Sequence, residues 1–154
     1  MGGQTALVVG VTGMVGSGVA RALQAEGWHV FGVARGTDVA AALRLADDGV
    51  EVMQYDVTSD DPGALPDVNA VFLEIWDPSR PELNWEINFY GVGRVVERYA
   101  GQATFVNGST INVYGDGPGL PREDTGCHPT SDYGRSRFAQ ERLIDYFCYS
   151  SGSR

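Results

Sequence analysis

Residues Thr5–Leu23 read TALVVGVTGMVGSGVARAL: a short apolar run, glycines at positions 10, 13 and 16, then a helical repeat. A strand, a tight turn and a helix mouth in that order form a cradle for a dinucleotide diphosphate. Gly10 supplies a backbone conformation closed to other residues. Gly13 leaves the backbone bare where it must approach phosphate. Gly16 lets the helix lie close on its strand, and the first free N–H groups of that helix face the anion. Thr12, Met14 and Val15 belong to the same turn and are read with it as cofactor-binding residues. The spacing is G-x-x-G-x-x-G instead of G-x-G-x-x-G, so the flanking strand and helix carry the reading. A glycine turn with only a structural role is the alternative.

Outward from this segment, strand and helix patterns alternate. The apolar and β-branched runs predict strands at Ala6–Val11, His29–Ala34, Val50–Tyr55, Ala70–Ile75 and Ala103–Asn107. Helices are predicted at Gly16–Glu26, Asp38–Asp47, Pro81–Tyr99 and Ser131–Tyr149. Runs apolar on both faces suit parallel strands covered by helices. The fold class that follows is α/β: an open, doubly wound, Rossmann-like parallel sheet of about five strands with flanking helices. The longest irregular stretch, Gly115–Thr130, is rich in Gly and Pro and separates two segments read below as chemical.

A chain of 154 residues fits one dinucleotide-binding domain over positions 1–154. Its formal net charge of −9, with no Lys/Arg cluster, argues against a nucleic-acid surface. Asp47–Asp48 and Asp60–Asp61 read as solvated loop charges, since no His or Cys accompanies them; no metal site is expected. Two cysteines, Cys127 and Cys148, without a secretory signal suggest reduced thiols. No apolar stretch approaches the ~18 residues of a membrane span. A cytoplasmic protein that engages neither membrane nor nucleic acid is the expectation.

The end of the second strand bears on the cofactor. An acidic residue there would bind the adenosine ribose hydroxyls and repel a 2′-phosphate. Here Ala34 is followed by Arg35, which leaves room and charge for that phosphate. NADP(H) is therefore favoured over NAD(H), the alternative being a solvent-exposed loop arginine. Asp56, followed by Val57, is placed to meet the adenine edge, although Asp at a strand end is also a common turn residue.

Four segments together resemble the extended branch of the short-chain dehydrogenase/reductase superfamily, the NAD(P)-dependent epimerases, dehydratases and reductases. VTGMVGSG at Val11–Gly18 resembles its TGxxGxxG turn, and YDVTS at Tyr55–Ser59 its adenine-contacting segment. Asn88, in EINFYGVGRVV, falls where that family has a helix asparagine. GSTINVYG followed by DYGRSR resembles its Ser/Thr and Y-x-x-x-K active-site segments. The resemblance implies that Tyr133 is the general acid/base, that Thr110 (or, less aptly, Ser109) orients the substrate oxygen, and that Arg137 holds the nicotinamide ribose. In the family a lysine does the last task and lowers the phenol's pKa from its ordinary value near ~10. Residues i and i+4 share a helix face, so Tyr133 and Arg137 can address one pocket. Arginine keeps the charge but not lysine's compact contact with two hydroxyls.

The resemblance also implies later elements that complete the nicotinamide pocket and substrate site, and these are expected to be missing after SSGSR at Ser150–Arg154. The chain is then either a fragment of a longer protein or a short natural relative. VGVTGMVG, GVARG and FLEIWDP further resemble NADPH-dependent enone reductases of the progesterone 5β-reductase group. Arg35 and Trp76 agree with that group, but Asn112 stands where it has a lysine.

Two functions of different class follow. One is an NADP(H)-dependent oxidoreductase or epimerase acting on a small carbonyl or hydroxyl compound. The other is a non-catalytic dinucleotide-binding sensor or assembly module. The apolar surface of the two long helices adds the expectation of a homodimer.

Overall fold

In the computed structural model, which describes residues 3–117 and 119–152, five short parallel strands gather the apolar runs into one sheet. The strands are β1 (Thr5–Val9), β2 (His29–Ala34), β3 (Glu51–Gln54), β4 (Ala70–Leu73) and β5 (Thr104–Asn107). Their order across the sheet is β3-β2-β1-β4-β5. The helices are α1 (Met14–Ala25), α2 (Val39–Asp47), α3 (Val92–Tyr99) and α4 (Asp132–Ser151).

Both faces of the sheet are covered, which is why β1 is apolar at successive positions. Leu7 and Val9 point into a core with Val71, Leu73, Val92, Val95, Val96, Tyr99 and Ile144, under α3 and α4. Val8 points the other way, into a cluster with Val11, Ala20, Val30, Leu45 and Val50, under α1 and α2. Burying each such Val or Leu side chain stabilises the fold by roughly 1.5–3 kcal/mol before entropy is counted.

The predicted elements are present, with bounds that differ for identifiable reasons. The first strand stops at Val9 because Gly10, at φ +87°, turns the chain out of the sheet. Helix α1 starts two residues earlier than predicted, with Gly13 as its extended N-cap. Asp38 caps α2 by accepting from the Ala41 amide, and Ser131 caps α4 by accepting from the Gly134 amide.

The predicted single helix Pro81–Tyr99 is three pieces. A 3₁₀ turn at Pro81–Leu83 leads to a π-helix at Glu86–Gly91, which runs into α3. Ile87, Asn88 and Gly91 are all buried on the π segment. A Cβ on Gly91 would lie 2.7 Å from the Val57 carbonyl oxygen, so the wide turn is pressed against the chain leaving β3.

Candidate functional site

The strand order places the site. Chain direction across the sheet reverses between β1 and β4, and the crevice outside their carboxyl ends is where such sheets take ligands. Two segments leave the sheet there side by side: the glycine turn after β1 and residues 74–80 after β4.

The turn is fixed by backbone alone. The amides of Gly10 and Val11 donate to the Val33 carbonyl at 2.9 and 3.2 Å, and the Gly13 amide donates back to Gly10 at 3.0 Å. A Cβ on Gly10 would meet the Glu74 carbonyl oxygen at 2.8 Å; one on Gly16 would meet the Gly10 carbonyl oxygen at 2.3 Å. Helix α1 has no side-chain cap and no acidic residue in its first turn. Its mouth is not plugged, because the side chains of Met14 and Val15 are 90% and 54% exposed. Bare backbone, free amides and the positive end of a helix dipole fit an oxyanion such as a diphosphate.

Gly10, Thr12, Gly13, Arg35, Asp56 and Val57 line one cleft together. On Asp56, Oδ1 accepts from the Thr58 amide at 2.9 Å and the Thr58 hydroxyl at 2.7 Å. Burial works against its ionisation, but these bonds and the charges of Arg80 and Arg35 prevail and lower its pKa. Met14, Val15 and Gly16 form the helix mouth beside the cleft.

The segment after β4 was not singled out as cofactor-binding from sequence, yet Glu74, Ile75, Trp76, Asp77 and Arg80 form a wall of the cleft. Asp77 Oδ2 sits between two guanidiniums, 2.6 Å from Arg80 Nε and 3.1 Å from Arg35 Nη1. Burial opposes its ionisation, but hydrogen bonds from Ser79 and Arg80 and the Arg35 charge outweigh it and hold the carboxyl at about 2. Glu74 behaves oppositely: burial pushes its carboxyl above the ordinary range, with Arg137 only partly opposing. The signal that could have located this wall is topological, since β4 is the strand that returns beside β1.

The residues matched to catalysis lie at the next part of the rim. Tyr133, half-buried in the first turn of α4, has its ring 6.0 Å from that of Trp76 in the cleft wall. Thr110 caps a 3₁₀ turn at Ile111–Tyr114 by accepting from the Asn112 amide at 3.3 Å. A Cβ on Gly134 would lie 2.5 Å from the Asn112 carbonyl oxygen, so the start of α4 is packed against that turn. Ser109 donates its hydroxyl to Glu141. Asn88 Nδ2 donates to Ser136 Oγ at 3.0 Å, and Ser136 Oγ donates to the Tyr133 carbonyl at 2.9 Å. The π-helix thus braces the turn that bears Tyr133.

Arg137 is buried beneath this group. Its Nη1 donates to the Ile75 carbonyl at 3.1 Å and to Gln140 Oε1 at 2.9 Å, and its Nη2 donates to the Gly108 carbonyl. The guanidinium therefore ties the chain leaving β4 to the chain leaving β5, and its Nε is a buried donor without a partner among the described residues. Burial lowers its pKa, while Tyr133, Glu74 and Glu141 counteract.

A family model described as the NAD dependent epimerase/dehydratase family matches residues 6–154. Comparison with curated proteins gave no match. Among solved structures, a UDP-galactose 4-epimerase superposes with a TM-score of 0.87 at 23% identity, over 98% of this chain and 54% of that one. The UDP-glucuronic acid 4-epimerase of Bacillus cereus, in complex with NAD, gives 0.81 at 21% identity over 97% and 53%. The UDP-glucose 4-epimerase of Thermotoga maritima, solved with UDP-glucose, gives 0.83 at 22% identity over 97% and 53%. The chain thus spans about half the length of these structures, and the likeness is one of fold. No helix among the described residues is long and apolar enough to cross a membrane.

Proposed function

The chain belongs to the NAD dependent epimerase/dehydratase family, and from that premise we propose that it binds a nicotinamide dinucleotide, NADP(H) before NAD(H), and serves oxidoreduction or epimerisation at a hydroxyl or carbonyl carbon. The glycine turn against the uncapped mouth of α1 carries this reading. The amides at the helix mouth would hold the diphosphate, Asp56 the adenine edge, and Arg35 a 2′-phosphate. When bound, the nicotinamide supplies the acceptor or donor of hydride.

This chain's residues supply the rest. Tyr133 moves the proton of the substrate oxygen, and Thr110, or Ser109 once freed from Glu141, orients that oxygen. Arg137 adds positive charge beside Tyr133 and fixes the ends of β4 and β5. A ribose contact from Arg137 has only its Nε–H and the second N–H of Nη2 to draw on, since both N–H groups of Nη1 and one of Nη2 are engaged by protein oxygens. UDP-glucose in the Thermotoga maritima structure makes sugar nucleotides the first substrate class to test. That engagement of Arg137 is also what favours the second reading, a dinucleotide-binding module without turnover.

Separate titrations of the whole chain with NADPH and NADH test the first claim. Both are expected to bind, with NADPH tighter by about tenfold, the effect of one charge-assisted hydrogen bond or so. Failure to bind either one ends the reading.

A homodimer is the proposed assembly. Trp85, Phe89, Phe138, Leu143, Tyr146 and Phe147 line an apolar groove between the π-helix and α4. A two-fold axis along this face would cover it with its own copy. Light scattering at micromolar concentration should give twice the protomer mass, and Tyr146→Glu should return the single protomer. A wild-type chain that is monomeric throughout this range counts against the assembly.

A further inference from the structure

The acidic side chain that lines the cleft between two arginines is an unusual partner for a site that must accept an anionic ligand. Asp77 Oδ2 accepts the Nε–H of Arg80 at 2.6 Å and forms an ion pair with Arg35 Nη1 at 3.1 Å. Its other oxygen is filled by Ser79, whose hydroxyl donates at 2.6 Å and whose amide donates at 3.2 Å. The carboxylate is thus saturated, with a side chain only 8% exposed. The guanidiniums are not. Arg80 spends a single N–H on Asp77 and Arg35 makes only an ion pair with it, so neither makes the two-pronged contact that an arginine can offer. Arg80 Nη2 is moreover a buried donor with no partner among the described residues. Asp56 lines the same cleft and is kept ionised partly by both guanidiniums, so the two arginines face two carboxylates there, and what they hold in reserve is unspent N–H groups.

Resting on the proposed dinucleotide reading of the cleft, we infer that Arg80 acts with Arg35 as a two-arginine grip for the phosphomonoester of a 2′-phosphorylated adenosine, with Asp77 as the internal anion that pre-positions both guanidiniums. The placement is specific to that end of the ligand. Arg35 directly follows β2, Asp56 follows β3, and Arg80 reaches the same cleft from the far side through the segment after β4. A phosphomonoester offers three oxygens and close to two charges, enough to engage the remaining N–H groups of both arginines while Asp77 stays in place. A 2′-hydroxyl offers one uncharged oxygen and gains little from either. Holding the arginines on a carboxylate also lowers the ordering cost when the ligand binds, because both long side chains are already fixed. Arg80 is by this argument a specificity-determining residue, and its partner is a phosphate, not the reacting carbon.

Calorimetric titration of the whole chain with four probes tests the inference: NADPH, NADH, adenosine 2′,5′-bisphosphate and adenosine 5′-phosphate. Arg80→Gln and Arg35→Gln should each weaken NADPH by about tenfold while leaving NADH within about twofold, with Arg80→Lys intermediate. The wild-type chain should bind the bisphosphate about tenfold or more tighter than the monophosphate, a comparison that needs no variant to fold. Equal weakening of NADPH and NADH by Arg80→Gln makes it a structural residue and overturns the inference. So does an unchanged NADPH affinity, or equal binding of the two adenosine phosphates by the wild type. In each of these cases NADH still binds and the dinucleotide reading stands. Failure of the wild type to bind either dinucleotide is a different result, and it removes that reading and the grip together.

Discussion

Gly16→Val is expected to destabilise the protein by about 3 kcal/mol or more, at or above the upper end of what forcing atoms into occupied core space typically costs. The cause is local and has no soft component. A Cβ at position 16 meets the Gly10 carbonyl oxygen at 2.3 Å, the Gly10 carbonyl carbon at 3.0 Å and the Val11 Cα at 3.1 Å. All three are backbone atoms, so no side chain can rotate away. That same Gly10 oxygen accepts from the Gly13 amide, and Gly10 itself is held to Val33. The only relief is to lift α1 from β1, which opens the cluster of Val8, Val11 and Ala20 and spreads the amides at the helix mouth. Loss of stability and loss of dinucleotide binding should therefore appear together. Gly18 lies on the same helix with nothing within 4 Å of an added Cβ. Gly18→Ala should accordingly be neutral or stabilising by about 0.5–1 kcal/mol, from helix propensity alone. Urea unfolding and NADH titration of both variants give the comparison. A Gly16→Val chain that unfolds and binds like wild type would show that the close approach is not required.

Those glycines were legible because their function is local: strand, turn and helix mouth are consecutive in the chain. The same holds for Arg35 and Asp56, each of which ends a strand recognisable by its own apolar run. The wall formed by Glu74, Trp76, Asp77 and Arg80 was not legible in that way. Nothing in FLEIWDPSR announces a cleft; these residues face one because β4 returns to pair with β1, and strand order is a property of the whole sheet. Arg137 is similar. A pattern over four residues places it on the face of Tyr133, but its three oxygen partners come from Ile75, Gly108 and Gln140, two of them far away in sequence.

The π-helix left a fainter trace. Ile87, Gly91, Val95 and Tyr99 are all buried and recur every four residues. On a helix of 3.6 residues per turn such a repeat drifts by about 40° at each step, so it would wander off the core. A wider turn at Glu86–Gly91 takes back part of that drift and keeps Asn88 turned toward Ser136. The period-of-four spacing can be seen in the sequence, but apolar periodicity alone reads it as one ordinary helix.

Tyr133→Phe should lower turnover by about a thousandfold, within the span that removal of a general acid/base costs, while dinucleotide affinity stays within about twofold. The surroundings of the ring make this a test of chemistry and not of folding. Tyr133 stands in the first turn of α4, where Ser131 caps the helix and the Tyr133 carbonyl, not its hydroxyl, takes the bond from Ser136. Its ring rests beside Trp76 at 6.0 Å, a contact that phenylalanine keeps. The backbone brace from Asn88 through Ser136 is likewise untouched by the substitution. Only the oxygen is lost, and with it the phenol proton. Thr110, capping the adjacent turn, can still orient a substrate oxygen but cannot exchange a proton with it at comparable cost, because an aliphatic hydroxyl is a far weaker acid than a phenol. Turnover followed by nicotinamide absorbance, with UDP-glucose and a set of simple carbonyl compounds, is the measurement. Equal rates for the two proteins would remove Tyr133 from the chemistry, and binding without turnover in the wild type would favour the non-catalytic reading that the engaged guanidinium of Arg137 already suggests.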